Sequence, residues 1–128
     1  GEKRVATHRK IEEKKWWSNE LPIESIINLE ISVEKIWKSD FGKIMSPVIF
    51  IFCLKDQWIS IKRIKKASKR WGGESSMVSL DVSSNVDNRN YHVILGDIKA
   101  PGETEFGIEI ILGWLKNILN SRQYKKQN

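Results

Sequence analysis

At 128 residues the chain is long enough for one hydrophobic core and too short for two that would each fold without staples. A single cysteine, Cys53, excludes an intrachain disulfide and a cysteine-built zinc site, and no apolar run approaches the ~18–20 residues of a membrane helix. The formal net charge is +6, and the segment containing Lys62, Arg63, Lys65, Lys66, Lys69 and Arg70 carries that much by itself with no acid among them, so the positive field is concentrated in one place.

In chain order, residues 1–25 form a basic and aromatic N-terminal extension. A short helix is expected over Arg9–Lys15, where Glu12/Lys15 and Glu13/Trp17 fall at helical spacing. The adjacent Trp16 and Trp17 cannot both sit fully on one helical face, so they either enter a strand beside the core, the simpler use, or mark a surface that another molecule covers. The start, Gly1-Glu2-Lys3-Arg4, has neither an initiator Met nor a signal-peptide apolar region, which suggests a piece of a longer protein.

From Ile27 the side chains alternate, Ile27, Leu29, Ile31 and Val33 against Asn28, Glu30, Ser32 and Glu34, and this period of two predicts a strand over 26–37. Turn chemistry at 38–43 and Pro47 precede the apolar run Val48-Ile49-Phe50-Ile51-Phe52-Cys53-Leu54, a central strand. Lys55-Asp56-Gln57 is a tight connection, and 58–64 alternates well enough to pair back as a hairpin. That segment has a second reading, because Ile61, Ile64, Ser68 and Trp71 also recur at the spacing of one helical face with the cations opposite. Residues 71–76 are turn material, 77–82 alternates again, 83–90 is a polar loop and 91–99 a further strand. Beyond Pro101-Gly102 the spacing of Ile108, Ile111, Leu112, Leu115, Ile118 and Leu119 predicts an amphipathic helix over 104–120, followed by a polar tail at 121–128.

The expected fold class is therefore α+β and β-rich: an antiparallel curved sheet or partly open barrel capped by a C-terminal amphipathic helix, forming one domain over 26–120. Several antiparallel strands followed by one helix, with Trp114 on that helix, resemble the pleckstrin-homology-like superfold. The resemblance implies a binding domain, with phosphoinositide headgroups as one ligand class, and rests on element order and one aromatic.

Two patterns carry possible chemistry. The cations Lys62, Arg63, Lys65, Lys66, Lys69 and Arg70, with Trp71 at their end as a stacking ring, suit phosphates of a nucleic acid or another polyanion, and such a run also serves nuclear import. Asp81 with Asp97-Ile98-Lys99 resembles the acid…acid-x-Lys pattern of a large nuclease superfamily, in which carboxylates on adjacent strands hold Mg²⁺ and the lysine orients water. His8 and His92 stand 84 positions apart with no ligand array around either, so His92 is expected to be a satisfied imidazole in its strand. No Gly-x-Ser-x-Gly elbow and no phosphate-binding glycine loop of the Gly-x-x-x-x-Gly-Lys type occurs.

Taken together, these features predict a non-enzymatic, intracellular interaction module, nuclear or cytoplasmic, that needs no cofactor. It would bind a protein partner and, through the basic segment, DNA or RNA. The alternatives are a Mg²⁺-dependent nuclease using Asp81, Asp97 and Lys99, and a phosphoinositide-binding domain.

Overall fold

The computed structural model describes residues 1–5, 11, 15, 16, 18, 20–82 and 90–127, apart from the side chains of Arg4 and of residues 122–127. The chain divides into two compact units, Gly1–Asp40 and Phe41–Asn128. The expected helix over Arg9–Lys15, save Ile11 and Lys15, and the expected loop at 83–90, save Asn90, lie outside the described residues, while Trp16 is exposed rather than packed in a core.

In the first unit, β1 (Lys3–Val5) and β2 (Glu20–Pro22) pair antiparallel with Arg4 opposite Leu21, and a 2.6 Å ion pair joins Lys3 to Glu20. Helix α1 (Ile23–Lys38) follows directly. The strand expected over 26–37 is thus a helix. Its end chemistry outweighs the alternation: Glu24 lies in the first turn and Lys35 and Lys38 in the last, complementing the helix dipole, and neither Gly nor Pro interrupts the span. Twelve residues is also long for a strand and ordinary for a helix. Ser32 turns its hydroxyl back to the Asn28 carbonyl, 2.8 Å away, which satisfies a residue that otherwise disfavours helix interiors.

The second unit begins with a 3-10 turn (Phe41–Lys43) and continues through β3 (Val48–Cys53), α2 (Ile61–Arg70), β4 (Ser75–Leu80) and α3 (Pro101–Gln127). β3 and β4 are parallel, in register from Val48 opposite Ser75 to Cys53 opposite Leu80, with α2 as the crossover between them. Parallel neighbours require such a crossover, because a two-residue turn cannot return the chain to the same starting edge. The core lies at the carboxyl end of this pair: Cys53, Leu80 and Val82 are buried, with Ile51, Tyr91, Ile94, Leu95 and Ile110 against them.

An antiparallel curved sheet or partly open barrel does not form among the described residues; the sheets are two separate pairs of strands. Besides α1, two further segments account for this. Of residues 58–64, those from Ile61 on belong to α2, since Ser60 caps a helix there: its carbonyl accepts from the Arg63 and Ile64 amides at 2.9 and 3.1 Å. Residues 91–99 form no strand, because Tyr91 (φ 52°) and Gly96 (φ 118°) turn the chain out of extended geometry and leave one isolated bridge, Gly96 to Ala100. The strand expected at 48–54 forms as β3, and the one expected at 77–82 forms as β4 two residues earlier, beginning at Ser75 within the segment expected as a turn.

The C-terminal helix exists but is longer than expected. Pro101 occupies its first position, where a missing N–H costs nothing, and the helix runs through the expected tail to Gln127. Its apolar residues divide into two stripes. Gly107 and Ile118 are buried and Ile110, Ile111 and Trp114 half-buried, whereas Ile108, Leu112, Leu115 and Leu119 are exposed.

Candidate nucleic-acid interface

Helix α2 holds all six cations of the basic segment. At about 100° per residue they fall within one arc of about 160°. Ile61, Ile64, Ala67 and Ser68 occupy the remaining arc, with Ala67 buried and the other three half-buried. The apolar side anchors the helix, and the Ser68 and Ser75 hydroxyls, 2.7 Å apart, tie it to the start of β4. The helix is therefore fixed with its charged side outward: Lys62, Arg63, Lys65, Lys66 and Lys69 are exposed and Arg70 is half-buried. A shallow, open depression runs along this side, lined by Ile61, Lys62, Lys65, Lys66, Lys69 and Arg70.

This arrangement is costly within the isolated helix. Lys62/Lys66, Lys65/Lys69 and Lys66/Arg70 are like charges at i,i+4 spacing, each pair unfavourable by about 0.2–0.5 kcal/mol. Lys62 and Arg63 also stand in the first turn, where the helix dipole disfavours cations. Among the described residues no ion pair engages Lys62, Lys65, Lys66 or Lys69.

Trp71, expected as a stacking ring, has a packing role. Its indole N–H donates to the Ser46 carbonyl at 2.7 Å, and it meets Phe41 and Phe50 edge-on at 6.1 Å each. The Arg70 guanidinium lies over the Phe41 ring, 4.6 Å from its centroid. The cations and Trp71 are thus neighbours in the fold, with Arg63 and the four lysines outward and the Arg70 guanidinium and the Trp71 ring turned toward the 41–50 segment.

The aromatic that stands out is Trp58, which the sequence reading did not single out. It lies between β3 and α2 and is 67% exposed. The Asp56 carboxylate organises its surroundings: Oδ1 accepts from the Trp58 and Ile59 amides at 2.7 and 2.9 Å, and Oδ2 lies 3.1 Å from His92 Nδ1. Burial pushes the Asp56 carboxyl up, but the Ile59 and Trp58 amides and the His92 ring together outweigh it and hold the group below the usual aspartate value. A depressed carboxyl contributes stability that is complete above its ordinary pKa and lost as pH falls through the lower folded value. We therefore expect thermal melts to show an acid loss of stability beginning below about pH 4, smaller in Asp56→Asn than in the unaltered protein. Equal acid profiles for the two would contradict this assignment.

The nuclease pattern is not assembled as the sequence suggested. Asp81 follows β4, is exposed and pairs with Lys55 at 2.7 Å, while Asp97 lies in the irregular 91–100 segment, so the two acids do not sit on adjacent strands. Among the described residues no three His, Cys, Asp or Glu side chains cluster as a metal site. His92 is the partner of Asp56, with its own side chain 36% exposed.

No family model, curated protein or solved structure matches the chain. Among the described residues no helix is long and apolar enough to cross a membrane.

Proposed function

We propose that this chain is a non-enzymatic binding module whose α2 presents a preformed cationic face to the phosphates of a nucleic acid. One observation carries the reading: six cations share one side of a ten-residue helix whose other side is fixed against the parallel strands, without an acid in the span. A helix of that length presents its charges over about 15 Å, so several successive phosphates lie within reach. Holding like charges together costs free energy in the unbound protein, and a polyanion removes that cost while releasing its own counterions.

Titration of a labelled oligonucleotide at stepped salt concentrations tests the proposal. Binding is expected to weaken with a slope of log K against log salt of about −3 to −5, as several phosphate contacts require. Binding that is absent at low salt, or indifferent to salt, would remove the nucleic-acid reading. Vesicles carrying phosphoinositides, titrated alongside, separate the rival ligand: preference for the vesicles over the oligonucleotide would replace this proposal with a headgroup-binding one.

A further inference from the structure

Trp58 and His92 form a prebuilt stack. Their ring centroids are 5.2 Å apart with planes inclined at 29°, and the one Asp56 carboxylate, whose side chain is only 5% exposed, holds both the Trp58 backbone amide and the His92 imidazole. Tyr91, immediately before His92, adopts a left-handed backbone that a residue with a side chain enters at a cost, and that turn delivers the imidazole to Asp56. A buried carboxylate and a strained residue thus fix the main chain at Trp58 and set the imidazole against an indole that nevertheless stays largely in solvent. Core packing does not account for this, since the indole itself is not buried.

We propose that Trp58, backed by His92, is a base-stacking platform adjoining the N-terminal end of the cationic α2 face, and that the preferred ligand is single-stranded nucleic acid. The inference deepens the function proposed above and rests on it. Bases in a duplex have both faces covered by neighbours, whereas an unpaired base can lie on an indole, a contact that tolerates any sequence.

The test uses the full chain with a single strand of about 12 nucleotides and the matching duplex, each titrated at several salt concentrations. Trp58→Ala is expected to weaken single-strand binding about tenfold or more while leaving the salt slope and duplex binding unchanged. His92→Ala should lose part of the same increment. Equal single-strand binding by Trp58→Ala, or a slope that falls with the tryptophan, would overturn the platform while leaving the cationic face intact. Failure of the unaltered protein to bind either probe would overturn both readings.

A second inference rests independently on α3. Its exposed stripe, Ile108, Leu112, Leu115 and Leu119, is spaced four, three and four, the seam spacing of paired helices. The stripe is also its own mirror image. Reversed against a second copy, Ile108 meets Leu119, Leu112 meets Leu115, and the exposed Glu109 and Lys116 come opposite each other at both ends. A parallel pairing would set Glu109 and Lys116 at different levels and forfeit both contacts.

We infer that α3 pairs antiparallel with α3 of a second copy of this chain. Sedimentation equilibrium between about 10 and about 500 µM should show a reversible dimer, within the range expected of a small interface. Leu112→Glu should make it monomeric without unfolding, because the side chain is already exposed. Glu109→Lys should weaken the dimer, and adding Lys116→Glu should restore it. A monomer throughout that range, or a dimer indifferent to these substitutions, would overturn the inference.

Discussion

Lys62→Glu combined with Lys66→Glu is expected to lower nucleic-acid affinity at least about 100-fold near physiological salt while leaving thermal stability unchanged or slightly higher. The two lysines stand at the middle of the α2 charged arc, and reversing both takes the helix from six cations with no acid to four cations with two acids. Fewer phosphate contacts also flatten the salt dependence. Stability is expected to move in the opposite sense. Glu at position 62 falls in the first turn, where the helix dipole favours it, and the new acids gain opposite charges at i+3 and i+4 positions, including Lys65, Lys69 and Arg70. Calorimetry beside the binding titration separates the two effects. A double variant that binds as before would show that the charged side is merely solvated, and one that unfolds would show that these lysines serve the fold.

The second large effect concerns two glycines expected to respond with opposite signs. Gly72 follows Trp71 where the chain enters β4, and a Cβ there would fall on the carbonyl oxygen of Gly42. That approach is locked by backbone hydrogen bonds, Gly72 N–H to the Phe41 carbonyl at 3.0 Å and Gly73 N–H to the Ile44 carbonyl at 2.8 Å. A main-chain carbonyl cannot swing aside as a flexible side chain can, so Gly72→Ala should destabilise by about 1–3 kcal/mol, the range of overpacked sites. Gly113, in the middle of α3, would meet nothing within 4 Å. Alanine there reduces the freedom of the unfolded chain and suits a helix, and should stabilise by about 0.4–1 kcal/mol. Denaturant melts of both variants test the pair. Loss of stability in Gly113→Ala would reveal something covering that face of α3, and an unaffected Gly72→Ala would contradict the close approach.

The adjacent Gly72 and Gly73 were legible as a turn, but not as a contact with the 41–46 segment, because a sequence shows backbone freedom and not what lies across from it. Other features divide the same way. The apolar run at 48–54 and the alternation at 77–82 pointed to two strands, yet not to their direction, which depends on whether the connection is a hairpin or a crossover. That choice turned on residues 58–71, where alternation and helical spacing coexist and where Ser60, as a cap, decides for the helix.

Sequence by itself determined the concentrated charge, a strand along the apolar run that holds Cys53, and a C-terminal helix, since each follows from local composition or a long, consistent period. Only the tertiary structure decided which tryptophan near α2 faces inward and which outward. Trp71 and Trp58 flank the same helix, and their fates depend on partners that the fold alone brings to them: Phe41 and Phe50 around one, and His92 beside the other. The pairing of Asp56 with His92 across 36 residues was hidden for the same reason. Local spacing carries information about one element, whereas a site built from two loops exists only once the core at Cys53, Leu80 and Val82 has drawn them together.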